Sequence, residues 1–331
     1  MDDPFQAENA DLRWSWERYD YDHLDAYLVS GIEDPRINCQ SILTRAFIAD
    51  TLWPGRFTDL IDAELRFGVV LTWLLRQTKS GRDPNELIDS IAAEQDPACP
   101  TVVRETYRWM QEDGCPAPDY LSAALLDSSA GQTAGTFCEP VLDTFCNLWR
   151  MVLEGQHADR ISVVEPACGS ANDFRFIDRC GLARFIDYTG FDISPKNIAN
   201  AKRRFPDVSF LTASVLNCSL PDNAFDYVFV HDLFEHLSEE AMNRALAEVM
   251  RLVRREAWLH FWSAERRTEH VIRPVGRYHA NLLSIERLIE RLAALGGAVE
   301  VVSITELLRR KFALDGYYNP RAATLLVTKS P

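Results

Sequence analysis

The sequence predicts an α/β protein in which an all-α region, residues 1–135, precedes a doubly wound sheet built from residues 136–331. Three observations carry that expectation. Apolar residues recur at helical spacing through the first part of the chain. From residue 161 onward short β-type runs alternate with amphipathic helical segments, the pattern of a parallel sheet covered by helices on both faces. The first of those runs ends in an acidic residue and passes through a loop of small residues into a helix start.

The clearest helix of the first region covers residues 56–77, where Phe57, Leu60, Ile61, Leu65, Val69, Trp73 and Leu74 share one face. Asp83-Pro84 opens a second helix over 85–94, and Pro100 opens a third over 101–112, which Gly114, Pro116 and Pro118 close. The small-residue stretch 127–136 reads as a linker before a helix over 137–153. Trp14, Trp16, Tyr19, Tyr21 and Tyr27 form an aromatic cluster suited either to closing over a substrate or to a domain interface. In the second region the strands are expected at 161–165, 187–192, 208–212, 225–231, 257–262, 298–304 and 323–329. Helices are expected near 173–179, 195–204, 238–253 and 283–295.

Composition bounds the function. With 331 residues, 47% of them hydrophobic and 25% charged, the chain has ample material for a core. A formal net charge of −14 argues against a nucleic-acid backbone as general partner. From Arg251 onward, however, 14 basic residues outnumber 8 acidic ones, a surplus suited to holding an anionic acceptor or to a solvated helix face. No run approaches the roughly 18 apolar residues of a membrane span. The first residues lack the basic and apolar regions of a signal peptide, so a soluble, cytoplasmic protein is expected. Cysteines 39, 99, 115, 138, 146, 168, 180 and 218 are scattered without a C-x-x-C pair, and reduced, mostly buried thiols with no zinc site are expected.

The run 161–165 ends at Glu165 and is followed by Pro166-Ala167-Cys168-Gly169-Ser170-Ala171-Asn172. In an open α/β sheet, ligands bind just beyond the carboxyl ends of the strands, and small residues there let a ligand approach the backbone. A dinucleotide would place its pyrophosphate over this loop, where Glu165 would oppose it. A ligand carrying an ammonium and a sulfonium would instead be attracted, and S-adenosylmethionine is such a ligand. Asp192 closes the next strand about 20 residues on, the place from which a carboxylate accepts both ribose hydroxyls. Ile193 beside it offers adenine an apolar face. After the third strand, Ser214 is placed to bond the adenine amino edge and Val215 to pack on the ring.

The segments EPACGSA, GFDISPKNIANAK and LPDNAFDYVFVHDLFEHL resemble, in order, the motifs of the class I, Rossmann-like, S-adenosylmethionine-dependent methyltransferases, and the resemblance covers about residues 137–331. It implies a seven-stranded sheet whose last strand is antiparallel, with the methionine end of the cofactor over the first loop. By position it gives Glu165, Ala167 and Gly169 to the methionyl part and Asp192 to the ribose. Cys168, as a small turn residue, and Asn172, as a helix cap, complete the loop, and His231 and Asp232 approach the cofactor from the fourth strand. The chain departs from the family where Ala167 and Ala171 stand for glycines, which suggests a slightly different backbone path, and where Ser214 replaces an acidic residue.

Methyl transfer needs in-line alignment and, for a hydroxyl or amine acceptor, removal of a proton. His231, at the tip of the fourth strand, is the first candidate for the base; packing or cofactor contact is the other role open to it. Tyr278 and His279, with Arg273 and Arg277, lie in the segment 266–281 where such enzymes often line the acceptor pocket. Asp232, Glu235 and His236, completed by His270 or His279, resemble the magnesium-holding set of some members, although the same letters serve as a helix start in metal-free ones; no metal is expected. The fourth strand lacks the Asn/Asp-Pro-Pro-Tyr/Phe ending of base-amine and glutamine methylases, and there is no Pro-Cys nucleophile. Both absences favour a small-molecule acceptor, methylated at oxygen, nitrogen or carbon in specialised metabolism, with neither nucleic acid nor membrane as partner and a homodimer left open. The competing readings are a protein or carrier-bound acceptor, a non-catalytic cofactor-binding scaffold, and a nicotinamide dehydrogenase, which Glu165 and the missing G-x-G-x-x-G spacing disfavour.

Overall fold

A computed structural model describes residues 34–93, 95, 97–112, 142–276, 278–314 and 318–330. The aromatic cluster at 14–27, the stretch 127–136, Cys115, Cys138 and Arg277 lie outside the described residues.

Five strands, β1 (Ile161–Pro166), β2 (Ile186–Asp192), β3 (Ser209–Thr212), β4 (Phe225–His231) and β5 (Val253–Phe261), form most of the sheet. Two-residue strands β6 (Ala264–Glu265), β7 (Pro274–Val275), β8 (Tyr278–His279) and β9 (Leu283–Ser284) come before β10 (Gly297–Ser303) and β11 (Ala323–Lys329). The main sheet has seven strands in the order β10-β11-β5-β4-β1-β2-β3. β1 through β5 are parallel, whereas β11 runs antiparallel to both of its neighbours. The expected doubly wound sheet with an antiparallel last strand is therefore the observed fold. Val163, Val164, Val228, Phe229 and Val230 are fully buried, as central strands covered on both faces require.

The described helices are α1 (Cys39–Leu52), α2 (Thr58–Lys79), α3 (Pro84–Ala92), α4 (Thr101–Glu112), α5 (Thr144–Leu153), α6 (Asn172–Arg179), α7 (Pro195–Arg204), α8 (Glu239–Leu252), α9 (Ile285–Ala294) and α10 (Ile304–Phe312). Four of those in the sheet region start on a serine whose hydroxyl accepts a backbone N–H of the first turn: Ser194, Ser238, Ser284 and Ser303. Several boundaries differ from the sequence reading, two of them for a visible reason. β5 begins at Val253, directly on the end of α8, because the charged triplet Arg254-Arg255-Glu256 is still part of the strand. Ile304 opens α10 rather than closing β10, since Ser303 caps the helix there.

The amino-terminal helices share the core of the sheet. Ile48 and Ala49 of α1 and Trp53 at its carboxyl end pack with Trp149, Phe176, Phe229 and Trp258. Gln40 Nε2 donates to the carbonyls of Phe261 and Ala323, each at 3.1 Å, which closes the backbone where β5 ends and β11 begins. Arg45, buried in the same helix, donates to Glu64 Oε1 of α2 at 2.6 Å, and Trp149 Nε1 of α5 donates to Glu64 Oε2 at 2.7 Å. This charged triangle fixes α1 against the two helices beside it. Among the described residues no helix is long and apolar enough to cross a membrane. Cysteines 39, 99, 146, 168, 180 and 218 are buried free thiols, as expected.

Candidate active site

The chain reverses its direction of travel through the sheet between β1 and β4, which are neighbours although β2 and β3 intervene in sequence. Ligands settle in the crevice beyond the carboxyl ends of strands at such a point. Glu165, Asp192 and His231 stand at or next to the ends of β1, β2 and β4, so the fold brings the three together at one edge of the sheet.

The loop after β1 turns through three left-handed residues, Ala167 (φ 59°), Gly169 (φ 54°) and Ala171 (φ 64°). Both alanines take the conformation that glycine favours and bear its steric cost. Cys168 N donates to the Phe191 carbonyl at 3.0 Å and Gly169 N to Asp192 Oδ2 at 3.0 Å, so the loop is held against β2. A Cβ built on Gly169 would meet nothing within 4 Å, leaving that side of the loop open to a ligand. The expectation that Asn172 caps the next helix fails. The cap position belongs to Ala171, Asn172 is the first helical residue, and its buried Oδ1 has no hydrogen-bond partner. Entering the helix from a left-handed residue turns the Asn172 side chain away from the first-turn amides.

Glu165 is buried and accepts a hydrogen bond from the Tyr188 hydroxyl. Burial pushes its carboxyl well above the usual carboxylate range. Asp173 and Asp192 add to the rise, while the Tyr188 bond opposes it. A cationic ligand would relieve this stress. Asp192, also buried, accepts from Ser194 N at 2.8 Å and Asn197 Nδ2 at 3.3 Å in addition to Gly169 N. Ile193, by contrast, is 73% exposed, a large apolar side chain in water directly after the β2 carboxylate. Ser214 Oγ accepts Leu216 N at 3.2 Å, and Val215 is buried in the core beside Val228 and Phe225. Burial also pushes the Cys168 thiol far up, so it is an inert turn residue.

His231 ends β4 with its ring stacked on His260 of β5 at 4.1 Å between centroids. Its Nε2 lies 2.9 Å from Thr44 Oγ1 of α1 and 3.8 Å from Asp173 Oδ1 of α6. Burial lowers its pKa, Asp173 works against that, and Arg45 adds to it; the ring is neutral at physiological pH. Asp232 follows in a left-handed conformation (φ 46°) with its side chain exposed. Sequence reasoning did not single out Thr44, Asp173, Tyr188 or His260. The one available signal was His260, a polar residue inside the apolar run Ala257–Phe261 that ends β5.

Tyr278 and His279 form β8, which pairs with β7 in a short hairpin. The hairpin packs on the turn after β4: the His236 ring meets Tyr278 edge-on at 5.9 Å, and His236 Nδ1 lies 3.1 Å from the His279 carbonyl. Both residues therefore meet His236 rather than His231. His270 Nδ1 accepts Ser284 N at 2.9 Å, a bond that pins the segment 266–281 to the start of α9. The magnesium-like set does not converge. Glu235 Oε1 takes the amides of Trp262 and Ser263 at 2.6 and 3.2 Å, His236 serves the hairpin, and Asp232 faces solvent. Among the described residues no three His, Cys, Asp or Glu side chains form a metal-holding group.

Residues 163–256 match a family model described as a methyltransferase domain. No curated protein matches the chain. Solved structures similar to it include a putative methyltransferase of Haloferax volcanii in complex with the methyltransferase activator Trm112, at 18% identity, covering 55% of this chain and 88% of that one, with a TM-score of 0.41. Another is a [4+2]-cyclase, SpnF, at 20% identity over 57% and 82% of the two chains and a TM-score of 0.39. A third is the 1,6-didemethyltoxoflavin-N1-methyltransferase of Burkholderia thailandensis, at 14% identity over 67% and 90% and a TM-score of 0.41. All three scores lie below 0.5, so the likeness to a methyltransferase domain rests on the matched segment. That segment runs from within β1 into β5 and spans under half of the chain, so what the match shows is a methyltransferase domain over residues 163–256.

Proposed function

We propose that the chain methylates a small molecule at an oxygen or nitrogen that must lose a proton, with His231 as the base. The observation that carries this reading is a neutral histidine at the end of β4, its side chain only 13% exposed, beside the switch point of the sheet and held by residues of three other elements. Carbon methylation remains the alternative for an acceptor that is acidic at carbon.

The residues present fit the cofactor. Glu165 is a carboxylate site stressed by burial and by Asp173 and Asp192, suited to an ammonium and a sulfonium. Ala167, Cys168, Gly169 and Asn172 supply a loop open at Gly169, Asp192 the ribose acceptor, and exposed Ile193 an apolar platform for adenine. Ser214 approaches the adenine edge and Asp232 the rim of the crevice, while Val215 backs them from the core. When bound, S-adenosylmethionine supplies an electrophilic methyl group. The chain then has to hold the acceptor in line and accept its proton, which neutral His231 does through a ring nitrogen. Tyr278 and His279, carried on the hairpin beside the β4 turn, line the acceptor side, and Arg273 provides a cation for an anionic acceptor group. The helical region 1–135 completes the acceptor pocket, and residues 136–331 form the cofactor domain.

The test is incubation of the chain and His231→Gln with methyl-labelled S-adenosylmethionine and a metabolite extract, followed by mass spectrometry. The expected result is a labelled small molecule whose formation falls at least about 100-fold in the variant, within the range for loss of a general base. Label appearing on protein instead, or unchanged transfer by the variant, overturns the reading.

A further inference from the structure

Thr44 Oγ1 has three partners within hydrogen-bond distance: the Gln40 carbonyl at 3.2 Å, His231 Nε2 at 2.9 Å and His260 Nε2 at 2.8 Å. A hydroxyl owns one proton and two lone pairs, and a carbonyl can only accept. All three contacts are satisfied together in one way. Thr44 donates to Gln40, and both histidines donate N–H to Thr44 from Nε2. His260 Nδ1, 2.9 Å from Thr324 Oγ1, is then the acceptor of the Thr324 hydroxyl proton. His260 is fully buried. A neutral ring with its proton on Nε2 uses both nitrogens and leaves no uncompensated charge.

The same accounting fixes His231. Its proton sits on Nε2, directed at Thr44, and its lone pair is on Nδ1, which has no hydrogen bond among the described residues. We infer that Thr44 of α1 and His260 of β5 are positioning residues that lock His231 in the Nε2–H tautomer and present Nδ1 as the proton acceptor. The inference rests on the reading of His231 as the base and adds which nitrogen acts and what sets it. It also gives the amino-terminal helix a direct part in the chemistry. The tautomer is decided by a threonine distant in sequence from the cofactor motifs, carried on a helix that Gln40 fastens to the ends of β5 and β11.

The charged and titratable groups facing His231 are Asp173 from α6, Arg45 from α1 and His260 from β5. Asp173 favours the imidazolium, whereas Arg45, burial and the His260 N–H directed at the shared hydroxyl favour the neutral ring. Loss of the Thr44 hydroxyl removes the common acceptor of two N–H groups in a buried place. The His231 ring is then free to protonate Nδ1 instead, or to turn its Nε2–H toward Asp173.

Long-range proton–nitrogen correlation spectra of the full chain with labelled histidine test this directly and need no acceptor. Signals are assigned with His231→Gln and His260→Gln. At pH 7 the wild type is expected to show both rings neutral with the proton on Nε2. Thr44→Ser is expected to keep that pattern, and Thr44→Val to shift His231 into a mixture with at least a several-fold rise in the Nδ1–H form. The proposal is overturned by a wild-type His231 that is charged or carries its proton on Nδ1, or by Thr44→Val spectra matching those of Thr44→Ser. Because the wild-type spectrum is itself decisive, an unstable valine variant does not remove the test. Failure of the base reading shows up separately, as unchanged methyl transfer by His231→Gln beside an intact tautomer pattern.

Discussion

Gly169 donates its amide proton to Asp192 Oδ2 across 3.0 Å, so the loop after β1 and the tip of β2 form one piece. Asp192 thus holds the loop, and in the proposed reading it also receives the ribose. Its other oxygen already takes Ser194 N at 2.8 Å, which aims the carboxylate without exhausting its lone pairs. Asp192→Ala is expected to weaken S-adenosylhomocysteine binding by at least about tenfold, since a hydrogen bond to a charged group contributes about 1.5–3 kcal/mol. Asp192→Asn, which keeps one acceptor, is expected to lie between the two. Calorimetric titration of the three proteins measures this, and equal affinities would remove Asp192 from the site.

Glu165 makes binding and stability respond to pH in opposite senses. Its folded pKa is raised, first by burial and then by Asp173 and Asp192, so the folded chain holds a proton that the unfolded chain has released. The folded state then binds more protons than the unfolded one above the ordinary carboxyl value of about 4.3, and stability falls as pH rises from there toward the folded pKa. In the proposed reading cofactor binding needs the carboxylate and is expected to strengthen over the same window. Glu165→Gln should flatten both dependences. Thermal melts and S-adenosylmethionine titrations from pH 5 to 8 check the pair of slopes, and parallel slopes would contradict the assignment.

The strand and helix pattern from β1 to β4 was readable because buried parallel strands are short apolar runs and each following helix starts on a serine or a small-residue loop. Glu165, Asp192 and Ile193 were readable for the same reason, being fixed relative to a strand end. Thr44 and His260 were not. Their pairing depends on how α1 lies across the sheet, and α1 is buried on nearly all sides from Cys39 to Ala46, so no amphipathic stripe declares its orientation. Asn172 misled because a side chain caps a helix only from the extended residue just before it, and Asn172 is already the first helical residue while Ala171 holds the cap position.

The two left-handed alanines differ in what a glycine would do. Ala167 is partly exposed, so Ala167→Gly removes a steric cost of about 1–2 kcal/mol and adds an unfolded-state entropy cost of about 0.4–1 kcal/mol. A net gain of about 0.5–1 kcal/mol is expected. Ala171 is fully buried in the core, and its methyl is worth about 0.8 kcal/mol there, so Ala171→Gly should come out near neutral. Ala167→Val should lose stability, because a β-branched side chain tolerates positive φ poorly. Urea denaturation of the three variants orders them, and a destabilised Ala167→Gly would show that the loop is not strained.

Glu64 stands between Arg45 and Trp149, all three nearly or fully excluded from water, and each carboxylate oxygen has one of them as its partner. Glu64→Ala leaves the Arg45 guanidinium buried without its counter-charge, a loss expected to cost about 3–5 kcal/mol. Replacing both members, Arg45→Met with Glu64→Met, removes the uncompensated charge and should recover most of that loss, since apolar isosteres of a buried pair are often neutral or stabilising. Trp149 Nε1 then lacks an acceptor, so the double variant should remain about 1–3 kcal/mol below wild type. Arg45 immediately follows Thr44, so the ion pair also sets how α1 presents the threonine hydroxyl to His231. The double variant should therefore be more stable than Glu64→Ala yet slower in methyl transfer than wild type, with S-adenosylhomocysteine affinity unchanged. Chemical denaturation together with cofactor titration separates these effects. Full transfer activity in a stable double variant would show that packing alone, without the ion pair, holds α1 in place.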